Sequence, residues 1–181
     1  TEAGIELRVH PTMIPEKRLI ANVHGVMNAV LVEGNAVGPT MYYGAGAGAE
    51  PTASAVVADL VDVVRDMAVN QNVRMPSLAF QQDAMSDTPI LQMDKVITAF
   101  YMRMTVSDKP GVLAQITQIL GDAGISIEAI RQHTHVSSQV PVIILTRPVQ
   151  EGHMNEAITA IEALADVNGE VTRIRVENLD G

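Results

Sequence analysis

Residues 44–50 read Gly-Ala-Gly-Ala-Gly-Ala-Glu and feed Pro51-Thr52-Ala53-Ser54, after which the apolar spacing becomes helical. A glycine-rich loop at a helix N-terminus brings backbone N–H groups close to a ligand, especially an anionic or carbonyl-bearing one. Gly44 and Gly46 fit the first two positions of G-x-G-x-x-G, but Ala49 stands where the third glycine belongs. No complete βαβ unit surrounds the loop, so on spacing alone a structural turn is the first reading and a ligand loop the second. Other chemistry is sparse. The three lysines, Lys17, Lys95 and Lys109, sit in turns or connecting stretches and read as solvated surface groups. His133 and His135 are two apart and share a face if extended, yet no third ligand at metal spacing accompanies them. With no cysteine, disulfides, thiolate metal clusters and cysteine nucleophiles are excluded. No catalytic residue and no metal site are assigned.

The elements that must carry these residues follow from periodicity. Ile5, Leu7 and Val9 alternate with Glu6, Arg8 and His10 over Gly4 to Pro15, the pattern of a half-buried strand closed by a Pro-bracketed turn. Val26 to Glu33 reads as a more buried strand, Gly34-Asn35 as a turn and Ala36 to Tyr43 as its hairpin partner. From Pro51 to Asp66 an amphipathic helix is expected. Val56, Val57, Leu60, Val61, Val64 and Met67 form its apolar stripe, with Asp59, Asp62, Arg65 and Asp66 opposite. Residues 69–95 lose periodicity and read as a connector, with a short strand around Leu78 to Phe80.

The last part is the most regular. Phe100, Met102, Met104 and Val106 alternate along a strand, and Asp108-Lys109-Pro110-Gly111 turns into a helix carrying Val112, Leu113, Ile116, Ile119, Leu120 and Ala123. Gly124 is its C-terminal glycine. Strands follow at Ile125 to Gln132 and Val140 to Thr146, around the polar turn Ser137-Ser138-Gln139. A helix over Glu151 to Leu164 precedes a last strand after Gly169, in which Thr172, Ile174 and Val176 alternate with Arg173, Arg175 and Glu177. The order βαββαβ gives a ferredoxin-like sandwich. The fold class is α+β: a partial mixed α/β segment, then the βαββαβ module.

Asp108 through Leu113, the helix after them, and Gly124-Ile125-Ser126-Ile127-Glu128 resemble an ACT domain, a small module that binds amino acids and regulates metabolic enzymes. Upstream, Val9-His10-Pro11-Thr12-Met13-Ile14-Pro15, Gly25 to Val30, Val32-Glu33-Gly34, Gly44 to Gly48 and Pro51 to Asp59 are similar to the C-terminal part of bacterial homoserine dehydrogenase. The resemblance covers almost the whole chain. It divides the chain into residues 1–68, the end of the catalytic and dimerisation region with its return helix; 69–95, the connector; and 96–181, the ACT domain. It implies NAD(P)-dependent interconversion of L-homoserine and L-aspartate 4-semialdehyde, with the Rossmann domain and proton-transferring lysine outside this chain. The isolated chain is accordingly expected to be inactive and to hold no cofactor stably, and its start at Thr1 suits a portion of a longer enzyme.

Within that family, Gly44 and Gly46 match the loop that approaches the cofactor near its nicotinamide end. In the ACT module the resemblance implies an effector site. Asp108 would accept from an ammonium, the N–H groups at Gly111, Val112 and Leu113 would donate to a carboxylate, and Ser126 would supply a second polar contact. L-threonine is the implied effector. Related modules frequently carry Asn where this chain has Asp108 and Ser126. Homo-oligomerisation is expected through residues 1–43 and the ACT sheet. A rival reading, a stand-alone ACT sensor or dimerisation module, accounts for 96–181 but leaves 1–68 unexplained.

Charge argues against other partners. The 181 residues hold 12 Lys+Arg against 21 Asp+Glu, a net charge of −9. Acids outnumber bases in both halves, 11 to 6 over residues 1–95 and 10 to 6 over 96–181. Nucleic acid and anionic membranes both ask for a clustered basic surface, so neither is expected as a partner. No apolar run approaches a bilayer span and no basic leader opens the chain, so a cytoplasmic location is expected.

Overall fold

The computed structural model of the protein describes residues 3–69, 80–132 and 138–179. These form two compact units, one over Glu16–Asp87 and one that joins the segment up to Pro15 to Thr88–Leu179. The segment before Pro15 thus folds with the C-terminal module, not with the hairpin and helix that follow it.

The first unit holds a hairpin and one helix. β2 (Met27–Gly34) and β3 (Gly38–Ala45) pair antiparallel from Met27 opposite Ala45 to Gly34 opposite Gly38. α1 (Ala49–Ala68) starts at Gly48, with Pro51 in its first turn, where its missing N–H is harmless. The expectation of a buried strand at Val26–Glu33 is not met: Val30, Leu31 and Val32 are exposed. So is the whole apolar stripe of α1, and among the described residues of this unit none is buried. One hairpin and one helix are too few layers to enclose a core. Of the expected strand at Leu78–Phe80, residues 78 and 79 lie outside the described residues and Phe80 is exposed.

The second unit is the expected sandwich. β4 (Ile97–Ser107), α2 (Val112–Asp122), β5 (Ile127–Gln132), β6 (Gln139–Thr146), α3 (Glu151–Glu162) and β8 (Val167–Val176) follow in the order βαββαβ. Two-residue strands β1 (Thr12–Met13) and β7 (Val149–Gln150) are additional. The sheet runs β1-β8-β4-β6-β5, antiparallel except for the parallel β1–β8 pair, and β7 pairs with the start of β4. Alternate residues of β4 and β6 point at the helices: Phe100, Met102, Met104 and Val106 pack with Val140, Val142 and Ile144, Ile116 and Leu120 of α2, and Met154 and Ile161 of α3. α2 ends as read from Gly124, whose φ is +71°. Ile125 N–H donates to Leu120 O and Gly124 N–H to Gly121 O, the paired bonds of a Schellman cap.

Two strand readings change. Gly4 to Pro15 is not a half-buried strand with its apolar side inward: Ile5, Leu7 and Val9 are exposed, and Glu6, Arg8 and His10 form the more covered side. Arg8 explains this, since it pairs with Glu6 and with Glu177 beyond β8, both at 2.7 Å. Ile5 is tied by backbone bonds to Pro89 and Leu91, each 2.8 Å. β8 begins before Gly169, which has φ +78° and lies where the register against β4 slips between Arg103 and Thr105. Arg175 and Arg173 stand opposite the buried Phe100 and Met102, so the arginines, not Ile174, face the helix layer.

Candidate functional site

The glycine loop starts from the end of β3. Gly44 sits opposite Asn28, and Gly46 N–H donates to Val26 O at 3.0 Å. The glycines are needed for different reasons. A Cβ on Gly46 would lie 1.5 Å from Asn28 Nδ2, and Gly48, at φ +131°, adopts a backbone that side chains disfavour. A Cβ on Gly44 would meet nothing within 4 Å, so nothing in the chain itself demands glycine there. α1 starts with no side-chain cap, and its first turn carries Glu50. A carboxylate there opposes the binding of a phosphate at this helix start.

The second predicted set surrounds α2. Gly111 takes φ +91° at the helix start and accepts from Gln115 N–H at 3.0 Å, and no side chain caps the first turn. Of its N–H groups, that of Val112 already donates within the turn, to Lys109 O at 3.5 Å. Val112 is in the core and Leu113 packs against it, so these two can offer a ligand only backbone. Asp108 is exposed and holds the loop through its backbone, N–H to Ser138 O at 2.9 Å. Lys109 is not free chemistry: its Nζ bonds Asp166 Oδ1 at 2.7 Å. The Lys109 ammonium first, and a hydrogen bond from Ser107 second, hold the Asp166 carboxyl below its ordinary range.

Ser126 lies elsewhere. Its carbonyl accepts from Arg147 N–H at 2.9 Å, just outside β5 and β6 at the end of the sheet away from Asp108. The 11 residues of α2 separate the two sites, about 16 Å at 1.5 Å per residue. Within one copy, Asp108 and Ser126 are not brought together. Of the five histidines, His133 and His135 lie outside the described residues, and His10 bonds Thr12 Oγ1 at 2.9 Å. Among the described residues no cluster of His, Asp or Glu could hold a metal, and no helix is long and apolar enough to cross a membrane.

A buried charge cluster was not anticipated from sequence. Glu151, the first residue of α3, is 4% exposed and receives both Nε (2.9 Å) and a terminal nitrogen of Arg175. Arg173 lies 3.6 Å from the same carboxylate, donates to Asn155 Oδ1, and stacks 5.6 Å from the centre of the Phe100 ring. The signal was the alternation of Arg173 and Arg175 in a strand whose register only the sheet determines.

Known proteins resemble both units in this order. The family model for homoserine dehydrogenase matches residues 1–61 and that for the ACT domain matches residues 100–166. The homoserine dehydrogenase of Pseudomonas aeruginosa is 58% identical over 182 residues, covering 99% of this chain and 42% of the relative. That of Neisseria gonorrhoeae is 49% identical over 99% of this chain and 41% of its own length. The crystal structure of a homoserine dehydrogenase from Thiobacillus denitrificans superposes with a TM-score of 0.90 at 60% identity, over 99% of this chain and 40% of that one. The chain thus spans about two fifths of the length of these relatives.

Proposed function

We propose that the chain is the C-terminal part of a homoserine dehydrogenase and that it serves the NAD(P)-dependent interconversion of L-homoserine and L-aspartate 4-semialdehyde. The observation that carries the reading is the match of both units, in order, over 99% of the chain to a homoserine dehydrogenase structure 60% identical to it. The cofactor supplies or takes a hydride. This chain's contribution is the loop at Gly44 and Gly46, open at Gly44 and closed over by Asn28 at Gly46, which would lie along the nicotinamide end while Glu50 keeps phosphate away. None of Lys17, Lys95 and Lys109 falls in a motif matching the family's catalytic lysine, which the resemblance implies lies outside this chain. The enzyme is cytoplasmic in this reading.

The ACT module is the regulatory part, with L-threonine as effector. Asp108 and the N–H groups of Gly111, Val112 and Leu113 form one half of the site and Ser126 the other. Because about 16 Å of helix separates them, one effector touches both halves only when two copies share it, which makes pairing of the modules part of binding. Effector and oligomer are then thermodynamically coupled. The expected result is saturable calorimetric heat with L-threonine on the 181-residue chain, a rise in sedimentation coefficient on binding, and loss of both in Asp108→Ala. Heat indistinguishable from buffer at millimolar ligand would refute the sensing role. Oxidation of NADPH by the chain alone, with L-aspartate 4-semialdehyde, would refute the placement of the catalytic lysine.

A further inference from the structure

We infer that the cleft between α3 and β8 is a binding site for a small monocarboxylate with a short branched aliphatic body, separate from the effector loop at Asp108. Asn155, Ile158 and Thr159 on one side of α3 and Val171 and Arg173 on β8 line a solvent-open cleft of about 390 Å³, a volume that admits a small metabolite. Arg173 is its cation. The carboxylate of Glu151 is already gripped in two-point fashion by Arg175, while Arg173 approaches it only to 3.6 Å. Of the two arginines, Arg173 therefore keeps N–H donors for another acceptor, and a guanidinium fork is shaped for a carboxylate.

The group is also held in place before any ligand arrives. The Phe100 ring lies beneath the guanidinium, and Asn155 Oδ1 accepts from one terminal nitrogen. Asn155 is in turn oriented by donating to Asp94 Oδ1 at 3.3 Å. Thr159 Oγ1 donates to Asn155 O at 3.0 Å, which leaves its oxygen lone pairs to accept from a ligand. Ile158 and Val171 supply the aliphatic wall. Three acids border the cleft: Glu151 and Asp94 behind the Arg173 end, and Glu162, whose Oε1 accepts from Val171 N–H at 2.7 Å. That surround disfavours a phosphate dianion and leaves the single charge of a carboxylate as the match for one arginine.

The probe is isovalerate, titrated into the 181-residue chain and followed by the methyl resonances of Ile158 and Val171 and the Nε–H of Arg173. Saturable shifts at these three groups are expected, with the neutral isovaleramide about tenfold weaker for want of the charge-assisted fork. Thr159→Glu, an exposed substitution at the mouth that leaves the core signals unchanged, should abolish the shifts by repulsion. Arg173→Lys, which keeps the charge but loses the fork, should weaken them about fivefold. Absence of saturable shifts, an equal response to the amide, or wild-type binding by Thr159→Glu would each overturn the site. None of these outcomes bears on threonine binding at Asp108.

Discussion

Replacing Glu151 by Ala tests whether the charge cluster above Phe100 is a structural requirement. Glu151 is 4% exposed and accepts two bonds from Arg175, so truncation leaves the Arg175 guanidinium without its counterion. Breaking a fully buried pair from one side costs roughly 3–5 kcal/mol. Here the Arg175 side chain is 15% exposed and that of Arg173 27%, so water recovers part of the loss and about 2–3 kcal/mol remains. With a urea m-value of about 1–1.5 kcal/mol/M for a module of this size, the midpoint should fall by about 2 M. Glu151→Gln keeps the shape and one acceptor, and should lose about half as much. The assay is urea unfolding by circular dichroism, paired with amide exchange at Phe100 and Ile144 so that the ACT module is read separately from the hairpin unit. Joining Glu151→Leu with Arg175→Met should recover at least half of the single-variant loss, because the more buried Arg175 charge goes with its partner and only Arg173, 27% exposed, is left to water and Asn155. A midpoint shift below about 0.3 M for Glu151→Ala, or a double variant that loses the sum of the singles, would refute the reasoning.

Three further outcomes follow from the same structure. Ile116→Ala opens a cavity at a fully buried position between α2 and the sheet and should cost about 2–5 kcal/mol in the same unfolding assay. Gly124→Ala places a side chain at φ +71° in the α2 cap with open space around it, so only backbone strain is felt, and the loss should be about 1 kcal/mol. The Asp166 carboxyl is held below its unfolded value by Lys109 and Ser107, so its contribution is complete above the ordinary carboxylate range and disappears as pH falls through the lowered folded value. Acid titration of Asp166 by carboxyl-carbon NMR should show that depression, and Lys109→Met should remove most of it.

The two units differ in how far their sequences could be read. In the ACT module one face is buried and the other is not, so the period-two runs at Phe100–Val106 and Val140–Ile144 and the helical spacing of Ile116, Leu120, Met154 and Ile161 carry the core directly. The turn and cap glycines at 111 and 124 were legible because only their φ values require them. The same logic misled at Ile5, Leu7 and Val9. There the alternation is real, but the inward side is chosen by Arg8 reaching Glu177, a contact 169 residues away in sequence.

Sequence by itself determined the element order, the sandwich core, the two glycine-marked loops and the family likeness, because each rests on local periodicity, turn chemistry or a contiguous motif. Tertiary structure alone decided three things: that β1 joins β8, that Arg173 and Arg175 turn toward Glu151, and that Gly44 opens onto free space. All three depend on which strands pair and in what register. A one-residue slip in register exchanges the faces of a strand while leaving its composition and period unchanged.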